Sequence, residues 1–183
     1  MPRTASIRAR RKRSSDGRGL VVWVTGRPSS GKSTFARRLD ARLREAGRPS
    51  VILDGDAVRD ALVPHPGFAP ASRGRFYETL AALAALIARQ GLVVIVAATS
   101  GRAIYRERAR RLAPRFLLVY LDVALEHCAA RDPKGLYARA RAGTVSHLPG
   151  VGDVYEPPTQ AEVRARGGRD ARALAEAAAL ALA

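Results

Sequence analysis

The chain has 183 residues, 47% of them hydrophobic, one cysteine and a net charge of +16. That is enough for one packed domain; no stretch approaches the roughly 18 apolar residues of a membrane span, and Cys128 alone excludes an internal disulfide. The charge invites a nucleic-acid reading, but Lys stands only at positions 12, 32 and 134 and every other basic residue is Arg, a skew that accompanies abundant Ala and Gly and reads as compositional.

Anionic small molecules are therefore the expected partners, rather than nucleic acid or a membrane. A lone thiol fits a reducing cytoplasm. Residues 1–18 are basic, with Asp16 as the one acid and no hydrophobic periodicity. They are expected to be a disordered arm, and without an apolar core they do not read as a secretory signal. A single globular domain is expected over 19–183.

Residues 20–25 predict a buried strand and 33–46 an amphipathic helix closed by Gly47. A short strand follows at 50–53, then a short helix at 57–62, stopped by Pro64 and Pro66. A long Ala-rich helix is expected over 72–90, with Phe76, Leu80, Leu83, Leu86 and Ile87 on its apolar face. The run 92–97 predicts a strand, 103–112 an Arg-dense helix, 115–121 a strand and 124–131 a helix. Periodicity then fails from Asp132 to Pro158, a length that in a compact domain predicts a functional lid. A last strand at 161–166 and a helix at 169–182 complete the chain. Strands alternating with helices, most of the strands apolar, predict an α/β fold with a five-stranded parallel sheet covered on both faces.

The strongest local signal is Gly26-Arg27-Pro28-Ser29-Ser30-Gly31-Lys32-Ser33-Thr34, set between a strand and a helix. This is a phosphate-binding P-loop: backbone N–H groups and a helix start receive the phosphates, Lys32 reaches the β- and γ-phosphates, and the Ser33 hydroxyl suits Mg²⁺. ATP is the expected co-substrate and Mg²⁺ the expected cofactor. Asp54 and Asp56 follow the next strand and fall on the same sheet edge. One carboxylate can serve the metal and the other the acceptor hydroxyl; the spacing leaves open which does which, with Ser33 and Asp54 the candidates for the metal. The alternative for Asp56 is a helix cap. Arg59 and Arg73 suit an anionic acceptor through the guanidinium fork. Phe68, alone in a Pro/Gly loop, can stack on a base or plug the core.

The run Asp132-Pro133-Lys134-Gly135-Leu136-Tyr137 closes this set. Together with Leu53-Asp54-Gly55-Asp56, the P-loop and Tyr155-Glu156-Pro157-Pro158, it resembles the adenylylsulfate (APS) kinase family from about Val21 to Pro158. The resemblance implies a three-layer P-loop kinase fold with a mobile lid at about 132–158. It implies transfer of the ATP γ-phosphoryl group to the 3′-hydroxyl of APS, and a homodimer. Lys32, Asp54 and Asp56 become catalytic. Gly26, Ser29, Ser30, Gly31, Ser33, Thr34, Arg131 and Lys134 fall on the ATP side. Arg59, Phe68, Arg73, Phe76, Ser100, Lys134 and Leu148 fall on the acceptor side. The departures cluster there: Phe76 stands where the family has Asn, Gly101-Arg102 where it has Pro-Tyr, and Leu148 where it has a second stacking Phe. A kinase for a different hydroxyl acceptor is the alternative these changes raise. A nucleotide-binding protein without catalysis is the second.

Overall fold

The computed structural model describes residues 19–183, so the basic arm expected over 1–18 lies outside the described residues. Leu20–Gly26 forms β1, buried along its whole length. A strand covered on both faces has no reason to alternate, which is why this stretch reads as an unbroken apolar run. The chain continues through α1 (Lys32–Glu45), β2 (Ser50–Asp54), α2 (Gly55–Ala61), α3 (Pro70–Ala88), β3 (Val93–Ala97), α4 (Ala103–Leu112) and β4 (Phe116–Leu121). It ends with α5 (Leu125–Arg131), α6 (Leu136–Arg141), the two-residue strands β5 (Leu148–Pro149) and β6 (Gly152–Asp153), then β7 (Val163–Ala165) and α7 (Ala171–Leu182).

The main sheet has five parallel strands in the order β2-β3-β1-β4-β7. Each face carries its own core. On one side Leu20, Val22 and Val24 meet Phe35, Leu39 and Leu43 of α1 and Leu174 and Ala177 of α7. On the other, Val21 and Trp23 meet Leu80 and Ala84 of α3 and Ala109 of α4. This is the expected three-layer α/β architecture. Ligands in such sheets bind beyond the carboxyl ends of the strands, and the loops after β1, β2 and β3 all open there.

Two expectations need correction. The buried face of α3 is Phe76, Tyr77, Leu80, Ala81, Ala84, Ala85 and Ala88, while Leu86 is exposed. Small alanines at i, i+4 spacing let the helix lie close on the sheet, so the larger residues do not define the contact face. Residues 132–158 are also not structureless. They hold α6 and the β5–β6 pair, with Tyr137, Leu148 and Tyr155 buried. Gly135, at φ +62°, adopts the left-handed turn that starts α6, and the surrounding Gly and Pro mask this helix in the sequence.

Asp170 caps α7 by accepting from the Ala173 N–H, and it also accepts from the Arg166 N–H, closing the loop after β7. These N–H groups, Arg166 first, hold its carboxyl below the ordinary 3.8. A carboxyl lowered on folding stabilises above its unfolded pKa, and that contribution is lost as pH falls through the folded value. Asp170→Ala is expected to cost about 1 kcal/mol at neutral pH, a few degrees of melting temperature, and less at about pH 3. Thermal melts at the two pH values check this.

Candidate active site

The loop between β1 and α1 is shaped by two left-handed residues, Ser29 at φ +62° and Gly31 at φ +98°. At Gly31 a side chain would be strained and its Cβ would come within 2.8 Å of the Gly168 nitrogen, so glycine is required there. Ser29, Gly31, Lys32, Ser33 and Thr34 line a cleft of about 1530 Å³. Gly26 and Ser30 do not. Gly26 is the buried end of β1, and the Ser30 N–H donates to Arg27 O, inside the loop.

Lys32 Nζ donates to Gly26 O at 3.1 Å and Arg27 O at 2.8 Å. Burial pushes this amine down to about 8, and the nearby carboxylates of Asp56 and Asp54 partly oppose that. A compact ammonium over the loop, weakly solvated and close to two carboxylates, is an anion receptor ready for a polyphosphate.

The two aspartates diverge in a way that their spacing does not reveal. Asp54, not Asp56, caps α2: its Oδ1 accepts from the Asp56 N–H at 3.1 Å. Its Oδ2 accepts from the Ser33 hydroxyl at 2.5 Å, tying β2 to the P-loop. Asp56 sits in the first turn of α2 with its side chain 68% exposed, and pairs with Lys134 Nζ at 2.5 Å. That bond raises the Lys134 amine above its ordinary value. Residues 132–135 thus reach across the cleft to the second aspartate. Their base is pinned to the P-loop, because the buried Tyr137 hydroxyl donates to Pro28 O at 2.9 Å.

Arg59, Phe68, Arg73, Phe76 and Leu148 line the other end of the cleft. Arg59 is nearly buried, between the Phe76 and Phe68 rings. Arg73 is engaged by the protein: it pairs with Asp153 and donates to Phe68 O and to His147 O at 2.6 Å. It links α3 to the β5–β6 pair.

Ser100 does not join this group. Its side chain is fully buried, receives the Trp23 indole N–H at 2.9 Å and donates to the Thr25 hydroxyl. Its own N–H donates to the Tyr77 hydroxyl, and Arg106 binds its carbonyl. The neighbouring Thr99 lines the cleft instead. Tyr155-Glu156 proves to be scaffolding for the same turn. The Glu156 carboxylate receives the Ala103 N–H at the start of α4, and its N–H binds Gly101 O.

Arg37 and the 166–169 loop, which the sequence does not single out, line the cleft, as do Arg139 and His147 of the expected lid and the expected Arg131 and Lys134. The available signal was Gly167-Gly168 directly after a strand. At Gly168 a Cβ would stand 2.4 Å from Gly31 O and 2.9 Å from Thr34 Cβ, so this loop packs against the P-loop backbone. Gly168→Ala is expected to displace the P-loop and weaken ATP binding by roughly tenfold or more while leaving the acceptor end unaffected. Calorimetric titration with ATP checks this.

One cleft thus carries the phosphate-loop residues, two carboxylates and several basic side chains. That layout belongs to P-loop kinases, where positioning and charge neutralisation do the work. The chain belongs to the adenylylsulphate kinase family, whose model matches residues 18–166. The adenylyl-sulfate kinase of Paraburkholderia xenovorans (strain LB400) is 43% identical over 150 residues, covering 81% of this chain and 84% of that protein. The structure of the Mycobacterium tuberculosis APS kinase in complex with AMPPNP and APS is similar at a TM-score of 0.82 and 37% identity, covering 89% of this chain and 98% of that one. A hexameric APS kinase from Thiobacillus denitrificans is similar at a TM-score of 0.61 and 27% identity, covering 90% of this chain and 28% of that one.

Proposed function

We propose that this chain transfers the γ-phosphoryl group of ATP to the 3′-hydroxyl of adenylylsulfate, giving 3′-phosphoadenylylsulfate and ADP. The observation that carries the reading is the pairing of an intact P-loop with a second, Arg- and Phe-lined end of the same cleft. It is supported by the likeness to a kinase solved with AMPPNP and APS.

In this reading the P-loop N–H groups and Lys32 hold the ATP phosphates. Ser33 and Asp54 supply hard oxygen donors, which suit Mg²⁺. Among the described residues no cluster of three or more His, Cys, Asp or Glu could hold a metal. Bound at Ser33 and Asp54, Mg²⁺ would neutralise charge on the phosphates. Asp56, on the open side of the cleft, accepts the proton of the acceptor hydroxyl. Lys134 orients Asp56 from the 132–158 segment, and exchange of this ion pair for substrate contacts is how that segment acts as a lid. Arg59 receives the acceptor's anionic group, with Phe68 beside its base.

Phe76 and Leu148, at positions where the family has Asn and Phe, favour one second reading: the same transfer to another hydroxyl. ADP release measured with adenylylsulfate and with a panel of nucleosides separates the two. No turnover with adenylylsulfate, beside turnover with another acceptor, overturns the first reading. No transfer to any acceptor, beside ATP binding, would leave a nucleotide-binding protein.

We further propose a cytoplasmic enzyme that self-associates. No helix among the described residues is long and apolar enough to cross a membrane, and the free Cys128 is buried. The dimer implied by resemblance stands beside a hexameric relative, and light scattering distinguishes one, two and six copies.

A further inference from the structure

An arginine only 5% exposed ordinarily faces a carboxylate. Arg59 does not. Its Nη1 donates to two neutral carbonyls, Pro66 O at 3.0 Å and Gly67 O at 2.9 Å, and Asp56 and Asp60 act on it only at longer range. Neither Nε nor Nη2 has an acceptor among the described residues. In place of a counter-ion the guanidinium carbon lies 3.7 Å from the centroid of Phe76 and 4.7 Å from that of Phe68.

The two rings differ in how they are held. Phe68 is more than half exposed, on a loop. Phe76 is buried in α3 and meets the Tyr77 ring edge-on at 5.4 Å. Tyr77 in turn stacks on Tyr105 and receives the Ser100 N–H, so this shelf is fixed to the end of β3. An amide at position 76 would offer no π face to a cation.

We propose that Phe76 is the positioning residue for Arg59: its ring holds the guanidinium flat, uncompensated and edge-on to the cleft, where it grips the anionic group of the acceptor. The inference rests on the reading that this end of the cleft receives the acceptor.

The test places mono-, di- and trifluorophenylalanine at position 76, which drain the π face while nearly keeping its shape, beside Phe76→Leu and Phe76→Tyr. The acceptor KM is expected to rise stepwise, roughly tenfold at three fluorines. The ATP KM should stay within about twofold, because the shelf stabilises the acceptor end alone. Phe76→Tyr, which keeps a π face, should raise the acceptor KM less than Phe76→Leu does. An acceptor KM flat across the fluorinated series overturns the proposal and leaves Phe76 as core packing, even where Phe76→Leu fails to fold. A second readout needs no acceptor: the Arg59 Nε–H resonance should be shifted upfield by the ring and return downfield in Phe76→Leu. An unmoved resonance overturns the positioning role. A wild type that neither binds nor turns over adenylylsulfate would instead overturn the proposed function, with the resonance shift still testing the shelf.

Discussion

Lys32→Ala is expected to reduce phosphoryl transfer at least 100-fold, a loss of about 3 kcal/mol or more of transition-state stabilisation. The side chain is the cation closest to the loop, held by Gly26 O and Arg27 O at the place where the β- and γ-phosphates would lie. Burial already works against its charge, down to about 8. The fold therefore bears a charge it would be more comfortable without. Removing the amine should leave the melting temperature of the nucleotide-free protein unchanged or raise it, because α1 is held by Phe35, Leu39 and Leu43 rather than by Lys32. The stabilisation that ATP adds to the wild type should vanish. Lys32→Arg should rescue little, since a planar fork cannot replace a point charge between two carbonyls. ADP release and melts with and without ATP check these points. A variant keeping a tenth of wild-type kcat/KM would refute the role.

What was legible in the chain is what depends on neighbours in sequence. The P-loop carries its own context, a buried strand before it and a helix after it, and apolar strands alternating with helices leave little choice of architecture. What was illegible depends on contacts made across the fold. Whether Ser100 faces cleft or core is decided by Trp23, Thr25 and Tyr77, which take up its bonds inside the molecule. Gly168 looks like any loop glycine until the P-loop backbone is seen against it. Asp54 and Asp56 are two residues apart on a helix start, and only the cap geometry reveals which one points to Ser33. Arg73 shows the same limit. Its type suits an acceptor phosphate, but Asp153 and two carbonyls already receive its guanidinium.

Asp56→Asn should lower kcat by about 100- to 10,000-fold, the usual range for loss of a general base, with ATP affinity within about twofold of wild type. Asp54→Asn should instead weaken both ATP affinity and its dependence on Mg²⁺. The separation follows from geometry. Asp54 is bonded to Ser33 and to the start of α2, so its charge faces the P-loop. An amide can keep the cap through its carbonyl oxygen, which isolates the effect of charge from that of fold. Asp56 makes no such contact with the P-loop; its partner is Lys134, across the cleft. If Lys134 acts through Asp56, then Lys134→Ala added to Asp56→Asn should cost little beyond Asp56→Asn alone, whereas independent roles would add. Single-turnover rates separate these cases from product release. Should both aspartate variants transfer phosphate at the wild-type rate, neither carboxylate takes the proton or serves the metal, and the chemistry would have to be reassigned to the cations lining the cleft.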